Sequence, residues 1–149
     1  MNTISKFENE FYFLSNFYPR QIEYKKLIWP TSEHIYQACK AKTEEDFMRI
    51  REAVTPGQAR KLGRKIAIRP DWFNIRLEVM VGVVTLKFDQ HIDLKQKLLN
   101  TEEAILIEGN FWHDNFWGDC YCRKCINIKG LNYLGRILMG LKKSYVVSS

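Results

Sequence analysis

Nothing in this sequence approaches the ~20 consecutive apolar residues that a bilayer-spanning helix needs. The longest apolar stretch, Val79 to Leu86, is broken by Gly82 and Thr85. The opening residues, Met1-Asn2-Thr3-Ile4-Ser5-Lys6, lack the apolar core of a secretory signal. Cysteine is scarce, and its placement is wrong for a disulfide framework. Cys120, Cys122 and Cys125 crowd into six residues while Cys39 stands alone. In a reducing compartment such residues are free thiols or metal ligands. Internal repeats, low-complexity tracts and linker-like segments are missing as well. The expectation is a cytoplasmic protein with no membrane partner, residues 1–149 forming one domain. A chain of 149 residues buries roughly two thirds of its unfolded surface and needs no covalent staple.

What is present is a moderately basic, aromatic-rich chain. A formal net charge of +6 favours anionic partners such as phosphates, nucleotides or nucleic acid, though only weakly. Phe11, Phe13 and Leu14 read as an extended piece before the turn-like Ser15-Asn16, and Ile22 to Trp29 reads as a hairpin about Lys25-Lys26. The period then becomes helical. Pro30-Thr31-Ser32 starts one helix. Thr43 with Asp46 caps a second, and Thr55-Pro56 opens a third that Gly63 can close. Asp71 is positioned to cap a long helix through Trp72, Val79, Val83 and Leu86. Leu94 and Leu98 mark a further helix, Ala104 to Glu108 a short strand, and Leu131, Leu134, Leu138 and Leu141 a last amphipathic helix. Residues 109–130, rich in Trp, Cys, Asp and Asn, read as irregular. The fold class is mainly α (α+β): a single multihelical domain with small antiparallel β elements near the N-terminus.

The first helix carries the chemistry. Glu33, Tyr36, Gln37 and Lys40 stand at i, i+3, i+4 and i+7 and share one face, leaving Ile35, Ala38 and Cys39 to bury on the other. A carboxylate, an amide and an amine are thus held together on a rigid element. The plainer reading is a solvated polar face whose Glu33 complements the helix dipole. His34, beside Ala38 and Ala41, reads more readily as a packed, hydrogen-bonded residue than as a base.

Two further groups stand out. Arg60, Lys61, Arg64, Lys65 and Arg69 fall within ten residues, a solvated helix face more readily than a phosphate surface. Cys120-x-Cys122-x-x-Cys125 is a partial fit to a structural zinc site, with His113, Asp119 or Cys39 as the fourth ligand. Its one-residue first gap is less usual than the two-residue gap of zinc knuckles and no second pair is present, so free thiols are the plainer reading. No catalytic metal and no cofactor are expected.

The stretch Phe13-Leu14-Ser15-Asn16-Phe17-Tyr18-Pro19, followed by Pro30 to Ala41 (PTSEHIYQACKA), resembles the NADAR family, also called YbiA-like. Later segments agree in order: Thr55-Pro56-Gly57-Gln58-Ala59, Arg69-Pro70-Asp71-Trp72, Met80 with Lys87-Phe88, Asp114-Asn115-Phe116-Trp117-Gly118, and Gly130 to Gly135. Each motif is modest alone; together and in order, from about Phe7 to Leu141, they are specific. The resemblance implies a multihelical YbiA-like fold and an N-glycosidase. Family members split phosphoribosylated intermediates of riboflavin biosynthesis, and others remove ADP-ribose from guanine in nucleic acid. It implies Glu33, Lys40 and Asp114 as catalytic residues, and Trp72 as reactive or substrate-holding. It implies Asn16, Trp117 and Asn132 as lining the same cleft, and Tyr36 and Gln37, on the helix face of Glu33 and Lys40, are expected to bind substrate with them. The Cys-rich insert after Trp117-Gly118 departs from the shortest family members.

The residue types fit that chemistry. Departure of a base builds positive charge on the sugar, which a carboxylate stabilises. Trp72 and Trp117 can stack on a base, each contribution worth about 1–3 kcal/mol; core packing is the expected fate of one of them. The partner is a nucleotide-like small molecule or an ADP-ribosylated nucleic acid. The rival is a non-catalytic module that binds NAD, ADP-ribose or ADP-ribosylated nucleic acid. A zinc-containing DNA-binding protein is a third reading.

Overall fold

The elements follow one another as β1 (Thr3–Ile4), a 3-10 helix (Asn9–Leu14), β2 (Ile22–Tyr24), β3 (Leu27–Trp29), α1 (Ser32–Cys39), α2 (Glu44–Arg51), α3 (Pro56–Gly63), α4 (Trp72–Asp89), α5 (Ile92–Leu99), β4 (Ile105–Leu106), β5 (Gly109–Asn110), β6 (Asp119–Cys120) and α6 (Tyr133–Ser148). The structure, a computed structural model, describes residues 2–148; Met1 and Ser149 lie outside it. The fold is mainly α with small strands, of the α+β type. No helix among the described residues is long and apolar enough to cross a membrane. The chain forms two compact units: Asn16–His91, and the flanking segments up to Ser15 and from Ile92.

In the central unit β2 and β3 form the expected antiparallel hairpin, pairing Ile22 with Trp29 and Tyr24 with Leu27. Its turn places Lys25 at φ 51° and Lys26 at φ 62°. A two-residue hairpin turn demands positive φ, and here two lysines accept what Asn-Gly usually supplies. The Lys25 ammonium lies 5.1 Å from the Phe47 ring, which helps to hold the turn. Trp29 donates from Nε1 to the Tyr24 carbonyl at 3.0 Å and is fully buried. It joins Ile22, Ile35, Ala38, Ile50, Ala59 and Val83 in the core of this unit.

Three helix starts behave as the sequence implies. The hydroxyls of Thr31, Thr43 and Thr55 accept from the backbone N–H of His34, Asp46 and Gln58, the N-cap bond that satisfies an orphan donor of the first turn. The fourth departs from expectation. Asp71 precedes α4 without capping it. Its carboxylate instead accepts from Arg69 Nε at 2.6 Å and Nη2 at 3.0 Å. A guanidinium two residues away outcompetes a backbone donor because its two N–H groups match both carboxylate oxygens. Gly63 ends α3 in ordinary right-handed backbone. Its need for glycine is spatial: a Cβ there would collide with Gln37 Oε1 on α1.

In the other unit, Asn9–Leu14 is a 3-10 turn rather than an extended piece, with Phe13 and Leu14 buried. The strand expected near 104–108 is β4, and it pairs parallel with β1, Thr3 against Ile105. The nominally irregular segment contains a second parallel pair, β5 with β6. The first pair brings together Thr3 and Ile105, and the second closes the loop between Gly109 and Asp119; in strands of two residues no alternation exists for local patterning to signal. Helix α6 packs on β4 and α5. Its buried Lys142 donates from Nζ to Thr101 Oγ1 at 2.8 Å and to the Ala104 carbonyl at 3.3 Å.

Candidate active site

Helix α1 packs against α2, α3, α4 and β3, so every residue from Ser32 to Ala38 is buried. The polar stripe is therefore not a solvated face. Glu33 is 3% and Gln37 4% exposed, and Tyr36 is buried beside them. A carboxylate at that depth needs partners. Glu33 Oε2 accepts from Gln37 Nε2 at 2.6 Å and from Arg60 Nε at 3.3 Å. Arg60 comes from α3, and its guanidinium also lies 4.5 Å from the Phe17 ring. With its Nε2 engaged by Glu33, Gln37 directs Oε1 at the cleared space of Gly63, where it finds no hydrogen-bond partner among the described residues.

Lys40 sits at the C-terminal end of the same stripe, half-buried, with Nζ 5.7 Å from the Tyr36 ring centroid. Burial pushes its amine below the ordinary lysine value of 10.5. Glu33 pulls the other way, and the guanidinium groups of Arg60, Arg64 and Arg76 add to the lowering. The backbone here is pinned from one side: Arg69 N–H donates to the Lys40 carbonyl at 2.8 Å, and Lys42 N–H to Ala67 at 3.1 Å.

His34 is a packed residue. Its Nε2 lies 2.9 Å from the Ala53 carbonyl and its Nδ1 2.8 Å from Thr31 Oγ1. A carbonyl only accepts, so Nε2 carries the proton and Nδ1 accepts the threonine hydroxyl. Burial lowers the imidazole pKa from its ordinary 6.5. Trp72 is also buried, its ring 5.2 Å from that of Tyr36 at 58°; it backs the stripe. Asn16 is committed at both ends of its amide. Oδ1 accepts from Ser32 Oγ at 2.8 Å, Nδ2 meets Met80 Sδ at 3.3 Å, and its carbonyl accepts Glu33 N–H at 3.0 Å. It anchors the start of α1.

The remaining expected residues belong to the other unit. Asp114 Oδ1 accepts from the backbone N–H of Phe116 at 3.1 Å and Trp117 at 2.9 Å, forming the turn that presents Trp117. Trp117 is half-buried and meets Phe116 edge to face at 4.7 Å, with Tyr133 completing the cluster. Asn132, at φ 50°, donates to the Leu106 carbonyl and accepts Glu108 N–H, tying the approach to α6 onto β4. His113, Cys120, Cys122 and Cys125 each bring one donor atom to within 4.8 Å of one another.

Two residues gain weight that sequence reasoning withheld. Arg60 stood in a run read as a solvated face; Lys61, Arg64 and Lys65 are indeed exposed, whereas Arg60 pairs with Glu33. Lys87 is 1% exposed, its Nζ 5.6 Å from the Tyr18 ring. The signal for Lys87 was its place in the Met80 to Lys87-Phe88 motif. A surface hollow of about 650 Å³ in this unit, lined by Pro19, Arg20, Ile28, Arg51 and His91 among others, contains none of the expected site residues.

A mainly helical α+β fold that buries a carboxylate, an amide and an aromatic ring along one short helix, with a lysine at its end, defines a class of small domain built to hold polar chemistry away from water. The NADAR domain model matches residues 4–145, and the chain belongs to the NADAR domain family. N-glycosidase YbiA of Shigella flexneri serotype 5b is 36% identical over 139 residues, covering 89% of this chain and 81% of the relative. An N-glycosidase of Nostoc punctiforme is 37% identical over 138 residues, covering 87% and 82%. A riboflavin biosynthesis protein of Vibrio vulnificus is 40% identical over 140 residues, which make up 88% of this chain and only 35% of that longer protein. The NMR structure of the Escherichia coli protein YbiA matches with a TM-score of 0.84 at 33% identity, covering 99% of this chain and 88% of that one.

Proposed function

We propose that this chain is a cytoplasmic hydrolase of N-glycosides, cutting the bond between ribose C1 and a base nitrogen in a ribosylated nucleobase. The substrate class is a phosphoribosylated riboflavin-biosynthesis intermediate or ADP-ribosyl-guanine in nucleic acid. The observation that carries this reading is the presence, along one stripe of α1, of a buried Glu33 and a Lys40 whose amine burial holds below its ordinary pKa against the opposing charge of Glu33. Relatives named N-glycosidases over four fifths of their own length support the reaction class, and four free thiols suit a reducing compartment.

In this reading Lys40 is the nucleophile. A ribose carrying its base at C1 opens its ring and presents an imine-like carbon. Neutral Lys40 Nζ attacks C1. The C1–N bond to the base then breaks, and the base leaves with the electron pair and a proton. Water hydrolyses the resulting Schiff base, freeing the amine and releasing the sugar as its aldehyde. Burial and the three nearby guanidiniums favour the neutral amine this step requires. Glu33 stabilises the cationic intermediates and relays the proton, while Gln37 and Arg60 hold its carboxylate in place. Arg60, Arg64 and Arg76 are also suited to the substrate phosphates. Tyr36 and Trp72 shape the wall beside Lys40, and Asn16 positions the helix. Within the other unit, Asp114 and Asn132 order the segments around Trp117.

Product analysis tests the proposal. The chain is incubated with ADP-ribosyl-guanosine and, separately, with the phosphoribosylated riboflavin precursor, and free base and sugar phosphate are measured by chromatography and mass spectrometry. Base release from one of them supports the hydrolase. Tight binding of either with no release establishes the binding module instead.

A further inference from the structure

The Cys-rich segment takes no part in the reaction above, and its geometry is that of a metal site. Cys120 is fixed by the β5–β6 pairing, where Asn110 stands opposite it and Asn115 Oδ1 accepts its N–H at 2.9 Å. Cys122 follows two residues beyond the end of β6, with its N–H directed at Cys120 Sγ at 3.5 Å. The next turn brings Cys125 back, its N–H donating to the Cys122 carbonyl at 3.1 Å. From the other side His113 adopts φ 69°, a left-handed conformation that costs energy for a residue with a Cβ. It places Nδ1 3.2 Å from Cys122 Sγ and 3.4 Å from Cys125 Sγ. The other two candidates for a fourth ligand are accounted for elsewhere. Asp119 Oδ1 accepts from Gly130 N–H, and Cys39 belongs to the central unit, with Sγ 3.8 Å from Tyr24 Oη.

We propose that His113, Cys120, Cys122 and Cys125 form a structural zinc site that locks residues 113–125 into a metal-held loop. Zn–S bonds of about 2.3 Å and Zn–N bonds of about 2.0 Å give tetrahedral edges of roughly 3.5–3.8 Å. The four donor atoms, all within 4.8 Å of one another, need only small side-chain adjustments to reach that geometry. The set is too tight to enclose an iron–sulfur cluster, whose ligands surround several metal and sulfide atoms. Three thiolates and one imidazole favour zinc over the hard cations, which take oxygen ligands. Four protein ligands leave no open position for water or substrate, so the site is structural. Its free energy of binding goes into folding the loop, which also carries Asp114 and the turn to Trp117.

The test is metal analysis of the full chain, purified from zinc-supplemented cells under reducing conditions and dialysed against a weak chelator. One zinc per chain is expected. Cobalt(II) exchanged into the site is expected to give the intense thiolate charge-transfer and d–d bands of a tetrahedral centre. Cys122→Ser is expected to lose the metal and Cys39→Ser to keep it. The cobalt spectrum of the unaltered chain reads the site even if Cys122→Ser fails to fold. Substoichiometric zinc with no cobalt spectrum after reduced reconstitution overturns the proposal, as does zinc retained in a Cys122→Ser/Cys125→Ser double variant. The metal readout stands whether or not the chain hydrolyses any glycoside.

Discussion

Gln37 donates from Nε2 to Glu33 Oε2 at 2.6 Å, one helical turn back along α1. That contact fixes the carboxylate on the buried side of the helix, where Arg60 reaches it from α3. Glu33→Gln preserves size and removes the charge. Base release is expected to fall about 100-fold or more, as for loss of a catalytic carboxylate. The stability cost is about 1–2 kcal/mol, because Arg60, 31% exposed, turns to water when its partner is neutral. Single-turnover assays beside thermal melts check both. A near-normal rate with a lowered melting temperature assigns Glu33 a structural role only.

Gly63→Ala probes the packing of α3 on α1. The added methyl meets Gln37 Oε1, so either the Gln37–Glu33 bond breaks or the helices separate. A loss of about 1–3 kcal/mol is expected, the usual cost of overpacking, together with slower turnover. Urea unfolding of the variant and of Gly63→Ala/Gln37→Ala decides whether the clash is with that side chain. The double variant recovers part of the loss if it is.

Lys40 has its lowered pKa because of burial first, and then the positive groups of Arg60, Arg64 and Arg76, against the opposing pull of Glu33. Since attack requires the neutral amine, the rate rises with pH through the folded value. That acid limb is expected below the ordinary lysine range. Arg76→Gln removes one lowering charge, so the limb moves to higher pH. Borohydride added during turnover is expected to leave a sugar adduct on Lys40 that is absent in Lys40→Arg. Substrate consumption without an adduct, and substantial activity in Lys40→Arg, would leave the lysine as a charged phosphate or hydroxyl ligand.

His34 links stability to acid. Its folded pKa lies below the ordinary 6.5, so the unfolded chain binds its proton more readily than the folded one. The contribution is fully present above pH 6.5 and is lost as pH falls through the folded value. His34→Gln keeps a donor for the Ala53 carbonyl and removes the titration. Melting temperature measured against pH is expected to decline less between neutrality and acid in this variant. Parallel profiles would exclude His34 as the group responsible.

The sequence by itself determined the helices, the hairpin and the family. Those depend on local signals: threonine caps before the first three α-helices, a return of apolar residues every three or four positions, and motifs that keep their order along the chain. The same local reasoning set Glu33, Tyr36, Gln37 and Lys40 on one helix face. It could not decide what that face meets, because a polar stripe reads alike whether it faces water or other helices. Only tertiary packing of α2, α3 and α4 around α1 buried the stripe, gave Glu33 its arginine and depressed the Lys40 amine. Asp71 shows the same limit: its position fits a cap, but the closer guanidinium of Arg69 took its carboxylate. The parallel pairs β1–β4 and β5–β6 and the choice of His113 as the residue beside the three thiols were likewise decided by tertiary structure. Each joins segments whose partners are specified by the folded chain, not by their own two or three residues.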